Sequence, residues 1–278
     1  KENIDKLEED SKARISAFAT VKSNLKDFND IITQIKSGDN YGYVGNSSDE
    51  KTATITASGT KAGATINSSL TVTTLASQHS LTGPSYSTST ATVGSGTLTI
   101  DFGTWSGDPT SGGGQTLTSN GQTQISVTTT ASTTLSQLRD MINNAAGDSD
   151  NDGEQDVLAS IIYDGTNYML MLKSESGASN EMKVAASSNL ATTSGGVGYD
   201  YNATTSNMSQ RVSGVNSAFT VDGISMTRSS NTITDLFEGF TVQLKATNGS
   251  AISLTSEVDL DNVQTLIEGY VMTYNEVQ

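Results

Sequence analysis

"FATVKSNLKDFNDIITQI", residues 18–35, places Phe18, Val21, Leu25, Phe28, Ile32 and Ile35 at alternating steps of three and four. That spacing lays a narrow apolar seam along one face of a helix, and Ile4 and Leu7 begin the same seam upstream. Ser11 and Arg14 interrupt it. Glu2 and Lys6, Glu8 and Lys12, and Asp10 and Arg14 are acid-before-base pairs four residues apart, each adding about 0.2–0.5 kcal/mol to an exposed helix. Gly38 and Gly42 supply the stop.

The pattern returns at the other end of the chain. Leu260, Val263, Ile267, Tyr270, Tyr274 and Val277 follow the same steps, with Asp259 or Asp261 as N-cap, and the seam is still running at Gln278. A stripe on a lone helix cannot bury itself, so the predicted solution is an antiparallel, coiled-coil-like stem made from the two chain ends. Residues 45–258 are then an insertion at the tip of that stem. The alternative is that both helices close a globular core. The absence of an initiator Met points to a fragment of a longer chain.

Between the ends the composition changes. The 278 residues suggest two or three compact units; 34% hydrophobic content and 26 Gly favour several small β-rich bodies over one large globule. Residues 1–36 carry equal numbers of acidic and basic side chains, so the net charge of −15 falls on the remainder. A polyanion of this kind is repelled by nucleic acid and by anionic bilayers, and neither is expected as a partner. The lack of Cys excludes disulfides, thiolate catalysis and Cys-ligated metals, and suits a protein outside a reducing cytosol. With Pro84 and Pro109 the only prolines, few slow isomerisation steps would delay a chain delivered unfolded. There is no apolar run of membrane-spanning length, and a signal peptide is not expected before Lys1.

Residues 52–76 alternate in "TATITAS" and "SLTVTTLAS", two strands joined across a turn at Gly59 to Gly63. Ala218 to Val221, the "DG" turn, then Ile224 and Met226 read as a hairpin; Phe240 to Leu244, "NG", then Ile252 and Leu254 read as another. These distant segments need each other to make a stable sheet. Within residues 83–208, "GTLTIDF" and "TQISVTT" are strands, and "LASIIYDGTNYMLMLKS" is a hairpin turning at Asp164 and Gly165. Leu135, Leu138, Ile142 and Ala145 line one face of a helix begun by Ser132 or Thr133. Segments 84–96, 106–121 and 187–210 read as Ser/Thr/Gly-rich loops. The predicted class is α+β: a stem (1–44 and 259–278), an inner β domain (45–82 and 209–258) and an outer α+β domain (83–208) nested in it.

"SSNTITDLFEGFTVQL" (229–244) reads as a structural corner. Asn231 suits a turn, Thr234 or Asp235 caps one helical turn holding Leu236 and Phe237, and Gly239 permits the exit into a strand at Phe240. The longer stretch "AFTVDGISMTRSSNTITDLFEGFTVQLKATNG" (218–249), followed by a charged helix ending "VMTYNEV", resembles the flagellar filament cap family, also called hook-associated protein 2. "LTVTTLASQHSL" (70–81), "TTLSQLRDMIN" and "ASIIYDGTNYMLMLKSESGASN" are similar to that family's strand, outer-domain helix and outer-domain hairpin, in family order.

The resemblance implies a non-enzymatic protein that forms a homo-oligomeric ring, a pentamer, at the distal filament tip. Its β domains form a plate, its stems act as legs, and flagellin folds beneath the plate. It implies export, unfolded, through the flagellar type III pathway to an extracellular location. It departs from the family in lacking the disordered terminal segments and most of the returning stem helix. The rival reading is a surface adhesin that binds host mucin or glycans through its outer loops.

"DSDNDGEQD" (148–156) is the one stretch with ligand-like chemistry. Asp148, Asp150, Asp152, the Glu154 carbonyl and Asp156 stand at positions one, three, five, seven and nine of a calcium loop, with Gly153 at six. Position twelve is Ala159, so the closing bidentate acid is missing; the alternative is a solvated acidic loop. No other cofactor is expected. His79, the single histidine, is expected at the surface or a strand end, and Trp105 either as an exposed anchor or as a core residue. No phosphate loop, dinucleotide fingerprint or paired catalytic acids appear, and no enzyme activity is expected.

Overall fold

The computed structural model describes residues 2–37, 42–58, 65–111, 114–149, 151, 153–190 and 198–277. The chain divides into two compact units. One comprises Lys1–Leu70, Thr232–Lys245 and Ser250–Gln278, the other Thr71–Asn231 with Ala246–Gly249.

The first unit opens with α1 (Glu2–Ser37), then β1 (Tyr43–Ser47), β2 (Ala53–Ala57) and the start of β3 (Asn67–Thr74). The proposed turn at Gly59 to Gly63 lies outside the described residues, but its two strands do not pair with each other. β2 and β3 find their partners among strands that arrive after the long excursion, as described below.

The second unit begins with the rest of β3 and continues through β4 (Gln78–Tyr86) and β5 (Gly96–Trp105). β5 is the hub of an antiparallel sheet. β6 (Leu117–Ser119) and β7 (Ile125–Thr129) pair with its two ends. α2 (Leu135–Ala145) follows, and its cap is Thr134 rather than Ser132 or Thr133: Thr134 Oγ1 accepts from Gln137 N while Gln137 Oε1 accepts from Thr134 N. The capping box won because only position 134 has a Gln three residues on. Leu135, Leu138 and Ile142 are fully buried, each contributing about 1.5–3 kcal/mol, whereas Ala145 is exposed and Ala146 packs instead.

β8 (Val157–Tyr163) and β9 (Tyr168–Ser176) form the expected hairpin, with Tyr163 opposite Tyr168 and Asp164 Oδ1 accepting from Thr166 N and Asn167 N in the loop. β10 (Glu181–Ala186) completes the sheet on β5. β11 (Ser209–Val212) lies at one edge of a second sheet, ordered β11, β4, β9, β8. The loop expectation for 187–210 fails in its second half. Tyr199, Tyr201 and Met208 enter the core with Leu98, Ile100, Phe102, Leu170 and Leu172, because two tyrosines in three residues offer too much apolar surface to leave in water. β12 (Ser217–Val221) and β13 (Ile224–Arg228) make the predicted hairpin, turning through Asp222 and Gly223 at φ 49° and 81°.

The chain then returns to the first unit. β14 (Thr232–Phe237) is a strand with an irregular register between Ile233 and Phe237, not the expected helical turn. Thr232, Ile233 and Thr234 are β-branched, and Ile233 buries itself opposite Val242. Gly239, at φ 79°, turns the chain so that Phe237 faces Phe240. β15 (Phe240–Leu244) lies between β14 and β2. β16 (Ile252–Val258) lies between β1 and β3. The expected hairpin of β15 with β16 is therefore absent: β15 has both edges filled, and "NG" is a crossing rather than a tight turn. Asp259 caps α3 (Leu260–Val277), its Oδ1 accepting from Asp261 N and Asn262 N.

Candidate functional site

The two terminal helices pack antiparallel. Asn24 Nδ2 donates to Glu276 O at 2.8 Å, Phe28 lies 5.4 Å from Tyr270 and 6.1 Å from Tyr274 between ring centroids, and Ile31 meets Gly269. The facing side of α3 is turned about one residue from the sequence seam. Leu266 and Thr273 are buried, while Ile267 and Tyr274 are exposed. Gly269 explains the turn, because a Cβ there would lie 2.8 Å from Ile31 Cδ1, so the bare backbone lets the helices approach on that side. A glycine inside an otherwise regular amphipathic helix was the readable signal.

α1 has 36 residues and α3 has 18, so α3 covers about half of α1's roughly 54 Å. Ile4, Leu7, Ile15 and Phe18, the last 76% exposed, form an uncovered apolar stripe on the N-terminal half of α1. Salt bridges Glu8–Lys12 and Lys26–Asp30 run along the polar faces. An arrangement of this kind can hold another helix; it offers no reacting group.

The acidic loop belongs to the second unit. Asp150 and Asp152 lie outside the described residues. Asp148 Oδ2 accepts from Gly153 N at 3.0 Å. Asp156 is buried, its oxygens accepting from Ser149 N, Ser149 Oγ and Gln122 Nε2, and Ala159 is buried in β8. Among the described residues no three His, Cys, Asp or Glu side chains gather around a point that would hold a metal ion.

His79 takes the strand-end alternative, as the second residue of β4, but not the surface one: it is fully buried, with Nδ1 accepting from Met182 N at 2.9 Å and its ring 5.5 Å from Tyr201. Burial lowers its pKa to about 4, against a smaller upward pull from Gln210. His79, Ser80 and Leu81 are all buried, so no alternation marked the site, and a neutral imidazole that serves as an acceptor fits a core position. Trp105 takes the core alternative, with Nε1 donating to Met182 O at 3.1 Å.

A cleft of about 520 Å³ opens beside Trp105. β11 supplies Gln210 and Arg211, and the facing wall is Trp105, Asp108 and Glu181. Tyr201 OH donates to Gln210 Oε1. Burial raises the Glu181 pKa, partly offset by the Trp105 N–H, whereas the Thr110 hydroxyl and amide lower that of Asp108. Sequence reading missed this group because it joins three segments distant along the chain.

Residues 1–79 match the family model for the flagellar hook-associated protein 2 N-terminus, and residues 214–278 match the model for its C-terminus. The chain is 30% identical over 135 residues to flagellar hook-associated protein 2 of Salmonella typhimurium, covering 48% of this chain and 28% of the relative. It is 27% identical over 289 residues to the A-type flagellar hook-associated protein 2 of Pseudomonas aeruginosa, covering 99% of this chain and 55% of the relative. It therefore spans little more than half of the longer match. Among solved structures, the D1-D2-D3 domains of the flagellar cap protein FliD from Escherichia coli superpose with a TM-score of 0.70 at 28% identity, over 94% of this chain and 68% of that one. The D2-D3 domains of the same protein give 0.60 at 26%, over 78% and 100%.

Proposed function

The chain belongs to the flagellar hook-associated protein 2 family, and from that premise we propose that it is the body of a non-enzymatic filament cap. In this reading copies assemble as a ring, a pentamer in the full-length protein, at the distal filament tip. Residues 1–44 with 259–278 act as the leg, 45–82 with 209–258 as the inner plate domain and 83–208 as the outer domain. Flagellin exported through the flagellar channel folds and inserts beneath the plate.

The observation that carries the reading is the antiparallel pairing of α1 with α3, which brings residues 2–37 and 260–277 together as one leg. The chemistry of export agrees: a chain without Cys and with two Pro meets neither disulfide pairing nor many slow isomerisations on refolding.

A strain lacking the gene is expected to secrete unpolymerised flagellin and to recover filaments on complementation. Electron microscopy of the full-length protein is expected to show rings. Normal filaments in the deletion strain would refute the cap, and mucin binding with normal motility would favour the adhesin.

A further inference from the structure

We propose that the cleft beside β11 binds an extended polypeptide segment, which adds a strand along β11 and sets a lysine or arginine side chain between Asp108 and Glu181. The inference concerns the second unit alone and does not rest on the capping role.

Strand β11 ends its sheet. β4 is its one strand partner, and all four of its residues, Ser209–Val212, are exposed. An edge strand leaves one row of N–H and C=O groups unpaired by the sheet, which is the template that an added strand uses. Most edges are blunted by a covering group. At the opposite edge of this sheet, Asn143 of α2 does so, its Nδ2 donating to Ala159 O and its Oδ1 accepting from Ala159 N. Nothing comparable sits against β11 among the described residues; what lies beside it is the 520 Å³ cleft, space for a few residues of extended chain.

The cleft also selects a charge. Asp108 and Glu181 both line the cleft, and after burial their negative charges are the further causes that raise the pKa of the nearby Tyr201 hydroxyl. Neither is in any of the four ion pairs formed among the described residues. Arg211 turns back to the sheet, donating from Nε to Thr82 Oγ1 at 2.8 Å. Glu181 is half-buried and Asp108 exposed; Arg211 lines the same cleft but forms an ion pair with neither, and carboxylates so placed are stabilised when a further ammonium or guanidinium group arrives. The indole of Trp105 forms part of the same wall, a surface suited to the aliphatic stem of a long basic side chain.

Trp105 is the only tryptophan, so its fluorescence reports on the two cavities it lines, this cleft and a smaller one beside Lys183, and the variants at Asp108 and Glu181 tell them apart. The test titrates the folded chain with the peptide acetyl-Thr-Val-Lys-Val-Thr-amide. A saturable change in Trp105 emission is expected. It should weaken about fivefold in the Glu181→Gln or Asp108→Asn chain. Two altered peptides keep the test independent of how the variants fold: one with glutamate in place of lysine, and one with N-methylated backbone amides. Both are expected to bind at least fivefold more weakly. No saturable change with the lysine peptide, or equal binding of either altered peptide, would overturn the proposal.

Discussion

Asn231 holds Ala76 by both of its backbone groups: Oδ1 accepts from Ala76 N at 2.8 Å and Nδ2 donates to Ala76 O at 2.9 Å. One side-chain amide thus stands in for a neighbouring strand, 155 residues away along the chain. Replacing it leaves a donor and an acceptor unpaired in a half-buried place. Asn231→Ala is expected to cost about 1–3 kcal/mol in urea unfolding. Asn231→Asp, which keeps the acceptor and loses the donor, should cost less than the alanine.

Gly269 is a second point where one atom decides the packing. Alanine there presses only on Ile31 Cδ1, the free end of a flexible side chain, while regaining about 1 kcal/mol of helix propensity. Gly269→Ala is therefore expected to be within about 0.5 kcal/mol of neutral. Gly269→Leu cannot be accommodated without separating the helices, and should lower the melting temperature and expose Phe28 and Tyr270. A leucine variant with unchanged stability would show that close approach of α1 and α3 is not needed.

The pH dependence of stability turns on His79. Its folded pKa, about 4, lies below the ordinary 6.5, because burial disfavours the imidazolium. The unfolded chain therefore binds more protons between those values, and stability rises with pH there. The full contribution, of the order of 3 kcal/mol, is present above about pH 6.5 and is lost as pH falls towards 4. Protonation would also remove the Nδ1 lone pair that accepts from Met182 N. Glu181, whose pKa burial raises, works in the opposite direction, so the clean measurement is the difference between the parent and His79→Gln. That difference should shrink as pH falls from 6.5 to 4; a constant difference would contradict the assignment.

Calcium at residues 148–156 remains a proposal with a specific expectation. Asp156 already accepts from Ser149 and Gln122, and Ala159 stands where the closing acid belongs. A calcium loop built from Asp148, Asp150, Asp152, Glu154 and Asp156 would have to compete with those bonds. Its affinity is accordingly expected in the weak range of about 0.1–1 mM. Isothermal titration with and without Asp148→Asn checks it, and no heat at millimolar calcium ends the proposal.

The helices and most strands were legible because each carries its own period. The seam of α1 and α3, the amphipathic α2 and the hairpins at Asp164–Gly165 and Asp222–Gly223 all follow from local spacing and turn chemistry. Partner choice was not legible. β15 and β16 look like a hairpin, yet each is filled on both edges by strands from elsewhere, and no local signal ranks those partners. The same limit applies at the cleft, where Trp105, Asp108, Glu181 and Arg211 meet through tertiary structure alone. The helical turn expected at Leu236 is a strand because the β-branched run Thr232 to Thr234 outweighs the capping residues within and after it.

The late return of the chain to its first unit has a kinetic consequence. The backbone N–H of Ile66 donates to the hydroxyl of Ser256, 190 residues later, so the opening strands wait for their partners until the segment around residue 256 has emerged. A molecule delivered amino end first must carry unsatisfied edges through that interval. Early collapse of the middle segment into its own body would shorten the effective tether, and the order in which the bodies form would then set how long those edges stay open to aggregation.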